Sequence, residues 1–221
     1  MREEQMIIPA IIPTSSEMLR AELAEFGWVH EVHVDVVDGQ FVPPVSWPYN
    51  PSGHPMDVAD ICTEYCVEVD LMCADPLAVA GDWVAAGAEM LVWHAETVSV
   101  QSFVEFGETH LGVSMGVSAL NDTPWEVLEP FLVVADYVQL MGIAQIGAQG
   151  AGFDQRVFEQ IARVRSVNPS LPICVDGSVN ETTIEQLVEA GADRLIVGSA
   201  LLQAEDRTAQ YDYLDGLARP H

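Results

Sequence analysis

Residues 171–200 read LPICVDGSVNETTIEQLVEAGADRLIVGSA, and the fold follows from them. The stretch opens with an apolar run over 171–175, passes through a segment of helical spacing over 182–189, turns at Ala190-Gly191-Ala192 and closes with a second apolar run over 195–197. A short apolar run bounded by turn-formers reads as a strand covered on both faces, and strand, helix, strand in that order is the parallel crossover unit. The glycine closing the helical segment reads as a C-cap, and Ala86-Gly87-Ala88 repeats the device upstream.

Working outward, the same rhythm fills the chain. Apolar runs fall at 6–12, 32–37, 67–72, 90–93, 113–119, 137–141, 171–175 and 195–197. Helical segments follow them at 17–26, 56–62, 77–86, 100–108, 124–132, 155–167, 182–189 and 203–217. Eight alternations without an interrupting linker predict one (β/α)8 barrel spanning residues 1–221. A doubly wound open sheet is the rival, but it calls for a glycine fingerprint after its first strand, and Pro9-Ala10-Ile11-Ile12-Pro13-Thr14 is not one.

Composition narrows the function. Half the chain is hydrophobic (49%), enough for a sizeable core, while 34 acidic residues against 8 basic ones give a net charge of −26. Such a field repels phosphate backbones and anionic headgroups, so neither nucleic acid nor a membrane surface is an expected partner. All eight cations are Arg, which excludes mechanisms built on a lysine Schiff base or a Walker lysine. The acidity reads either as adaptation to a saline cytoplasm or as a compositional accident. No apolar run approaches the roughly 18–20 residues of a membrane span, and Arg2, Glu3 and Glu4 stand where a secretory signal would show a basic stretch before an apolar one, so a cytoplasmic protein is expected. Cys62, Cys66, Cys73 and Cys174 are too sparse for a disulfide scaffold; Cys62 and Cys66, four apart, invite a metal-site reading, but no matching Cys or His pair follows, and the four read as buried free thiols.

In a barrel, reactive groups stand at the C-terminal ends of strands. The second run ends Val32-His33-Val34-Asp35-Val36-Val37-Asp38-Gly39, and period-two alternation puts His33 and Asp35 on one face. That pair reads as metal ligands, as an acid/base pair or as a satisfied buried pair. Two more runs end in carboxylates, Asp70 on the third and Asp176 on the seventh. Three acids converging on one imidazole repel one another unless a cation neutralises them, so a divalent metal on His33, Asp35, Asp70 and Asp176 is the economical reading. Asp38-Gly39 reads as a turn. His94 ends the fourth run and is a candidate substrate contact; Met72 and Met141 end strands beside it, as core filling or as a shield against water. After the seventh and eighth runs, Gly177-Ser178 and Gly198-Ser199 offer backbone N–H groups and hydroxyls for an anion such as phosphate. The Gly/Ala-rich segment from Gly142 to Gly152 is long enough for a lid.

His33-Val34-Asp35-Val36-Val37-Asp38-Gly39-Gln40-Phe41-Val42-Pro43 closely resembles the signature of the ribulose-phosphate 3-epimerases, and Val175-Asp176-Gly177-Ser178-Val179-Asn180 resembles a second. The resemblance runs nearly end to end, through Pro9-Ala10-Ile11, Asp70-Leu71-Met72, Trp93-His94-Ala95-Glu96, Leu140-Met141 and Gly198-Ser199-Ala200. It implies a barrel enzyme that interconverts D-ribulose 5-phosphate and D-xylulose 5-phosphate through an enediolate. By position, Asp35 and Asp176 are then the two proton-transfer groups, one on each face of the planar intermediate, with a divalent metal steadying the oxyanion. Inversion requires both, since one carboxylate alone returns the proton to the face it came from. The chain departs from the family at Asp70, where a second metal histidine is expected, at Ala10 in place of a serine, at Ser178 in place of a glycine, and through the sixth loop, Ala144-Gln145-Ile146-Gly147-Ala148-Gln149. An oxygen-rich donor set favours Mn²⁺ or Mg²⁺, with Zn²⁺ and Fe²⁺ as the alternatives. The expected partner is a small sugar phosphate and the expected assembly a homo-oligomer. An isomerase of another sugar or sugar phosphate, and a non-catalytic ligand-binding barrel, are the other two readings.

Overall fold

The structure, a computed structural model, describes residues 5–146 and 152–219. Eight parallel strands close on themselves in chain order: β1 (Ile7–Ile11), β2 (Glu31–Val37), β3 (Cys66–Met72), β4 (Met90–His94), β5 (Ser114–Ser118), β6 (Tyr137–Met141), β7 (Ile173–Asp176) and β8 (Arg194–Val197). Closure comes from β1 pairing with β8, Ile7 opposite Leu195 and Pro9 opposite Val197. The open sheet is thereby excluded and the single barrel stands.

Outward-facing strand residues such as Val34, Val69, Leu91, Val117, Val138, Val175 and Leu195 join the helices in one large apolar cluster. The opposite parity points into the barrel, where branched apolar side chains usually fill the space. Here that interior holds His33, Asp35, Glu68, Asp70, His94, Ser118, Gln139 and Arg194, all buried. Two small apolar groups share it, Ile8 with Ala10 and Ile196, and Val92 with Tyr137 and Cys174. Eight buried polar side chains cannot be left without partners cheaply, so the interior is organised as a hydrogen-bonded column.

The helices are α1 (Ser16–Ala24), α2 (Ile61–Glu64), α3 (Leu77–Ala86), α4 (Val100–Thr109), α5 (Trp125–Leu128), α6 (Arg156–Val167), α7 (Ile184–Ala190), α8 (Ser199–Leu202) and α9 (Arg207–Ala218). Gly87 and Gly191 adopt left-handed φ values of 105° and 106° as C-caps of α3 and α7, as expected from the two Ala-Gly-Ala tripeptides. Three helical segments differ from expectation. The segment at 56–62 is a 3₁₀ turn, Pro55–Val58, followed by the single turn of α2, started by Pro55 behind a His54 cap. The segment at 124–132 breaks after α5 into a 3₁₀ turn because Pro130 lacks the N–H that would continue the ladder. The last helix divides in two: α8 ends at Leu202, and Asp206 restarts the chain by accepting from the Ala209 N–H at 3.0 Å. In the seventh run Pro172 delays the strand, so Asp176 lies within β7.

Candidate active site at the barrel mouth

Period two and register together build the site. His33 and Asp35 rise along the inner wall of β2, Glu68 and Asp70 along β3, and Asp35 is directly opposite Asp70 in the parallel ladder. One ligand atom from each of His33, Asp35 and Asp70 lies within 4.8 Å of the others, and all three residues are buried. Asp176, the fourth expected ligand, stands on β7, three strands from β2 around the closed barrel, and outside that compact trio. It is nevertheless close enough for its charge to act on Asp35 and His94.

The trio fits a divalent cation. His33 Nε2 and Asp35 Oδ1 lie 3.3 Å apart, buried, and neither has a hydrogen-bond partner among the described residues. Orphaned buried polar atoms are rare and point to a missing ligand. The second ring nitrogen of His33 and both Asp70 oxygens have partners. His33 Nδ1 lies 2.7 Å from Glu68 Oε2, Asp70 Oδ1 lies 3.0 Å from His94 Nε2, and Gln139 Nε2 donates to Asp70 Oδ2 at 2.8 Å. Such outer contacts fix the orientation of the inner donors.

The electrostatics are those of crowded carboxylates. Burial, then the charge of Asp35, pushes the Asp176 carboxyl up to about 8. Burial also raises Asp35, opposed by the adjacent His33 imidazole. At Asp70 burial acts upward too, but the charges of His94 and His33 and hydrogen bonds from His94 and Gln139 outweigh it and hold the carboxyl below its ordinary value. Burial pushes both imidazoles down, and their carboxylate neighbours reverse that push: Asp35 and Glu68 raise His33, Asp70 raises His94.

The mouth is roofed by apolar side chains. Met72 and Met141 are buried with Val37, Ile143 and Ile146, and Phe41, Val42 and Leu120 pack against them. The Phe41 ring lies 5.0 Å from the His94 ring. Asp38-Gly39 is the turn expected of it, Asp38 Oδ1 accepting from the N–H groups of Gln40 and Phe41 with Gly39 at a φ of 72°. Gly142 and Gly177 cross closely: a Cβ on Gly142 would sit 2.2 Å from the Gly177 carbonyl oxygen. Ser178 keeps a left-handed φ of 53°, held by its own carbonyl, which accepts from Asn180 Nδ2 and Thr183 Oγ1, both at 2.9 Å. Gly198 caps α8 and Ser199 opens it, beside Gly177 and Ser178 on the adjacent strand end. Of the sixth loop, Ile143 and Ile146 are buried; residues 147–151 lie outside the described residues, as do Arg2, Glu3 and Glu4. All four cysteines are free, Cys66 half-buried and the others buried.

Sequence reasoning missed Glu68, Gln139 and Arg194. Glu68 and Gln139 were accessible to it: each precedes an inward residue, Asp70 or Met141, by two positions on the same strand. Arg194 offered no signal, because it stands just ahead of its apolar run. Asn121 was missed as well; its amide donates to the carbonyls of Met141 and Ile143, both at 3.0 Å, and to Asp154 Oδ2 at 2.9 Å, tying down both roots of the sixth loop.

Among the described residues no helix is long and apolar enough to cross a membrane. On fold alone the barrel is similar to 3-keto-L-gulonate-6-phosphate decarboxylase from Vibrio cholerae (TM-score 0.71, 11% identity, 98% of this chain and 100% of that one) and to a 3-hexulose-6-phosphate synthase (TM-score 0.71, 18% identity, 97% and 100%). In sequence it is 31% identical to the ribulose-phosphate 3-epimerase of Aquifex aeolicus, over 84% of this chain and 83% of that protein. It is likewise 31% identical to the ribulose-phosphate 3-epimerase of Bacillus subtilis, over 91% and 94%. The sequence pattern of the ribulose-phosphate 3-epimerase family matches residues 6–202, from the start of β1 to the end of α8. A match of that extent, with relatives this similar along most of their length, shows that the chain belongs to the ribulose-phosphate 3-epimerase family of isomerases.

Proposed function

We propose that this enzyme inverts the carbinol beside the ketone of a pentulose phosphate, converting D-ribulose 5-phosphate to D-xylulose 5-phosphate through an enediolate. The observation that carries the reading is the placement of Asp35 and Asp176, carboxyls at two strand ends separated around one mouth. Without a cation, burial raises both carboxyls, Asp176 to about 8, and His33 opposes the rise at Asp35. Asp35 then takes the proton from the carbinol carbon, and Asp176 gives its own proton to the opposite face. The reverse reaction uses the same pair with the roles exchanged.

His33, Asp35, Asp70 and Asp176 are the residues that would hold a divalent cation, Mn²⁺ or Mg²⁺ by the hardness of the set. When bound, it supplies charge stabilisation for the developing oxyanion. His94 and Met141 line the reacting end, the thioethers and Phe41 exclude water, and the backbone at Gly177, Ser178, Gly198 and Ser199 receives the phosphate. We place the enzyme in the cytoplasm as a homo-oligomer.

The test is a coupled assay with D-ribulose 5-phosphate. Asp35→Asn and Asp176→Asn should each cost at least about 10²-fold in activity, the usual loss when a general acid or base is removed. Turnover in D₂O should place deuterium on the inverted carbon. More than a tenth of the activity in either variant, or no deuterium, overturns the assignment. A different sugar phosphate is the second reading, favoured by Ala10, which packs against Ile8 and Ile196 and offers no hydroxyl to a substrate; turnover of a substrate panel ranks the two.

A further inference from the structure

Below the site, toward the N-terminal ends of the strands, the barrel interior holds an ion-pair column that proton transfer does not use. Arg194 on β8 donates through Nη1 to Glu68 Oε1 at 3.1 Å and to Cys174 Sγ at 2.9 Å, and through Nη2 to Glu31. Its guanidinium also lies 5.5 Å from the centre of the Tyr137 ring. Glu68 is fully buried: Oε1 accepts from Arg194 at 3.1 Å, and Oε2 lies 2.7 Å from His33 Nδ1 with only a longer contact, 3.4 Å, to Arg194 Nη2. An ionised carboxylate only accepts, so in the neutral ring this contact places the imidazole proton on Nδ1 and leaves the Nε2 lone pair facing Asp35 and Asp70.

We propose that Arg194 and Glu68 act as a positioning pair that selects the metal-binding tautomer of His33. The inference rests on the reading of His33, Asp35 and Asp70 as a cation site. Glu68 sets the ring; Arg194 sets Glu68, because its closer N–H contact needs an acceptor on the side of the carboxyl away from His33.

That polarity gives a specific test. In Glu68→Gln the amide oxygen must turn toward Arg194, since an NH₂ group there would oppose the guanidinium donors. The NH₂ is then presented to Nδ1, which must accept, and the imidazole proton moves to Nε2, the atom the cation needs. In the double variant Glu68→Gln/Arg194→Met the oxygen is free to face Nδ1 again, and the interior carries no unpaired Glu68 charge. The experiment is titration of full-length, chelator-stripped protein with Mn²⁺ alone, free ion followed by its paramagnetic resonance signal, with a thermal melt of each variant to verify folding.

Glu68→Gln should bind Mn²⁺ about 10–100-fold more weakly than the unmodified chain, the usual cost of losing an outer partner. The double variant should return to within a few-fold of it. A folded Glu68→Gln of unchanged affinity overturns the positioning role, and a double variant as weak as the single one overturns the part given to Arg194. Absence of Mn²⁺ binding by the unmodified chain overturns the cation site itself, a failure separate from either of these.

Discussion

Replacing Asp176 with Asn should stabilise the cation-free protein while abolishing inversion, and the two effects should separate with pH. The carboxyl moves from an ordinary 3.8 to about 8 on folding. The folded chain therefore keeps a proton that the unfolded chain releases between roughly pH 4 and pH 8, and stability falls as pH rises through that window. At 1.36 kcal/mol for each tenfold change, the full displacement corresponds to at most about 6 kcal/mol. Asp176 is only half-buried at the mouth, where water reaches it, so about 2–4 kcal/mol is the realistic cost. For a chain of this length 1 kcal/mol moves Tm by roughly 2–4 °C, and the variant should melt about 5–15 °C higher than the unmodified chain at pH 9. Near pH 4 the two should coincide. The assay is differential scanning calorimetry in chelator from pH 4 to pH 9. Saturating Mn²⁺ should close the gap by offsetting carboxylate repulsion in the unmodified chain. Melting curves that stay parallel across the pH range would refute the claim that Asp176 is held protonated by its surroundings.

After exhaustive chelation, Mn²⁺ or Mg²⁺ should restore more activity than Zn²⁺ at equal site occupancy, and Asp70→His, which exchanges a hard oxygen donor for an imidazole, should shift that preference toward Zn²⁺; the check is metal add-back with elemental analysis, and unchanged activity in metal-free protein counts against the site. Self-repulsion among the surplus acids, net −26, should be relieved by screening, so Tm should rise between low and molar KCl. A flat or falling Tm favours compositional accident over a saline setting.

The barrel was legible because its signal is local and repeated. A buried parallel strand needs only a short Val/Ile/Leu run, and its helix needs only an apolar stripe, so eight copies of one pattern suffice. Boundaries failed where a single residue outweighed the pattern: Pro130 ended α5, Pro172 delayed β7, and Asp206 capped a new helix inside a segment that reads as one. The inner trio was legible for a related reason. His33, Asp35 and Asp70 sit at fixed parity within their runs, and parity alone decides which side of a strand a residue faces.

What supports the trio was less legible, because it depends on register between strands distant in sequence. Arg194 meets Glu68 only after β1 closes the ring between β8 and β2, a contact spanning 126 positions that no local pattern reports. Yet part of the column follows from physical necessity once the trio is accepted. A ligating imidazole must give its second N–H to something, and a buried Asp70 needs donors for the oxygen that His94 does not reach. On an inner wall of period two, the candidates for those partners are the inward residues one step below, on a neighbouring strand or across the barrel interior. Glu68 and Gln139 occupy such positions. A buried Glu beneath a ligand then demands a cation of its own, the chain offers only arginines for that charge, and among the described residues the one on an inward strand position is Arg194. Chemistry at the mouth thus constrains the sequence two residues deeper, which is why the polar column reaches toward the N-terminal end of the barrel instead of stopping at the site.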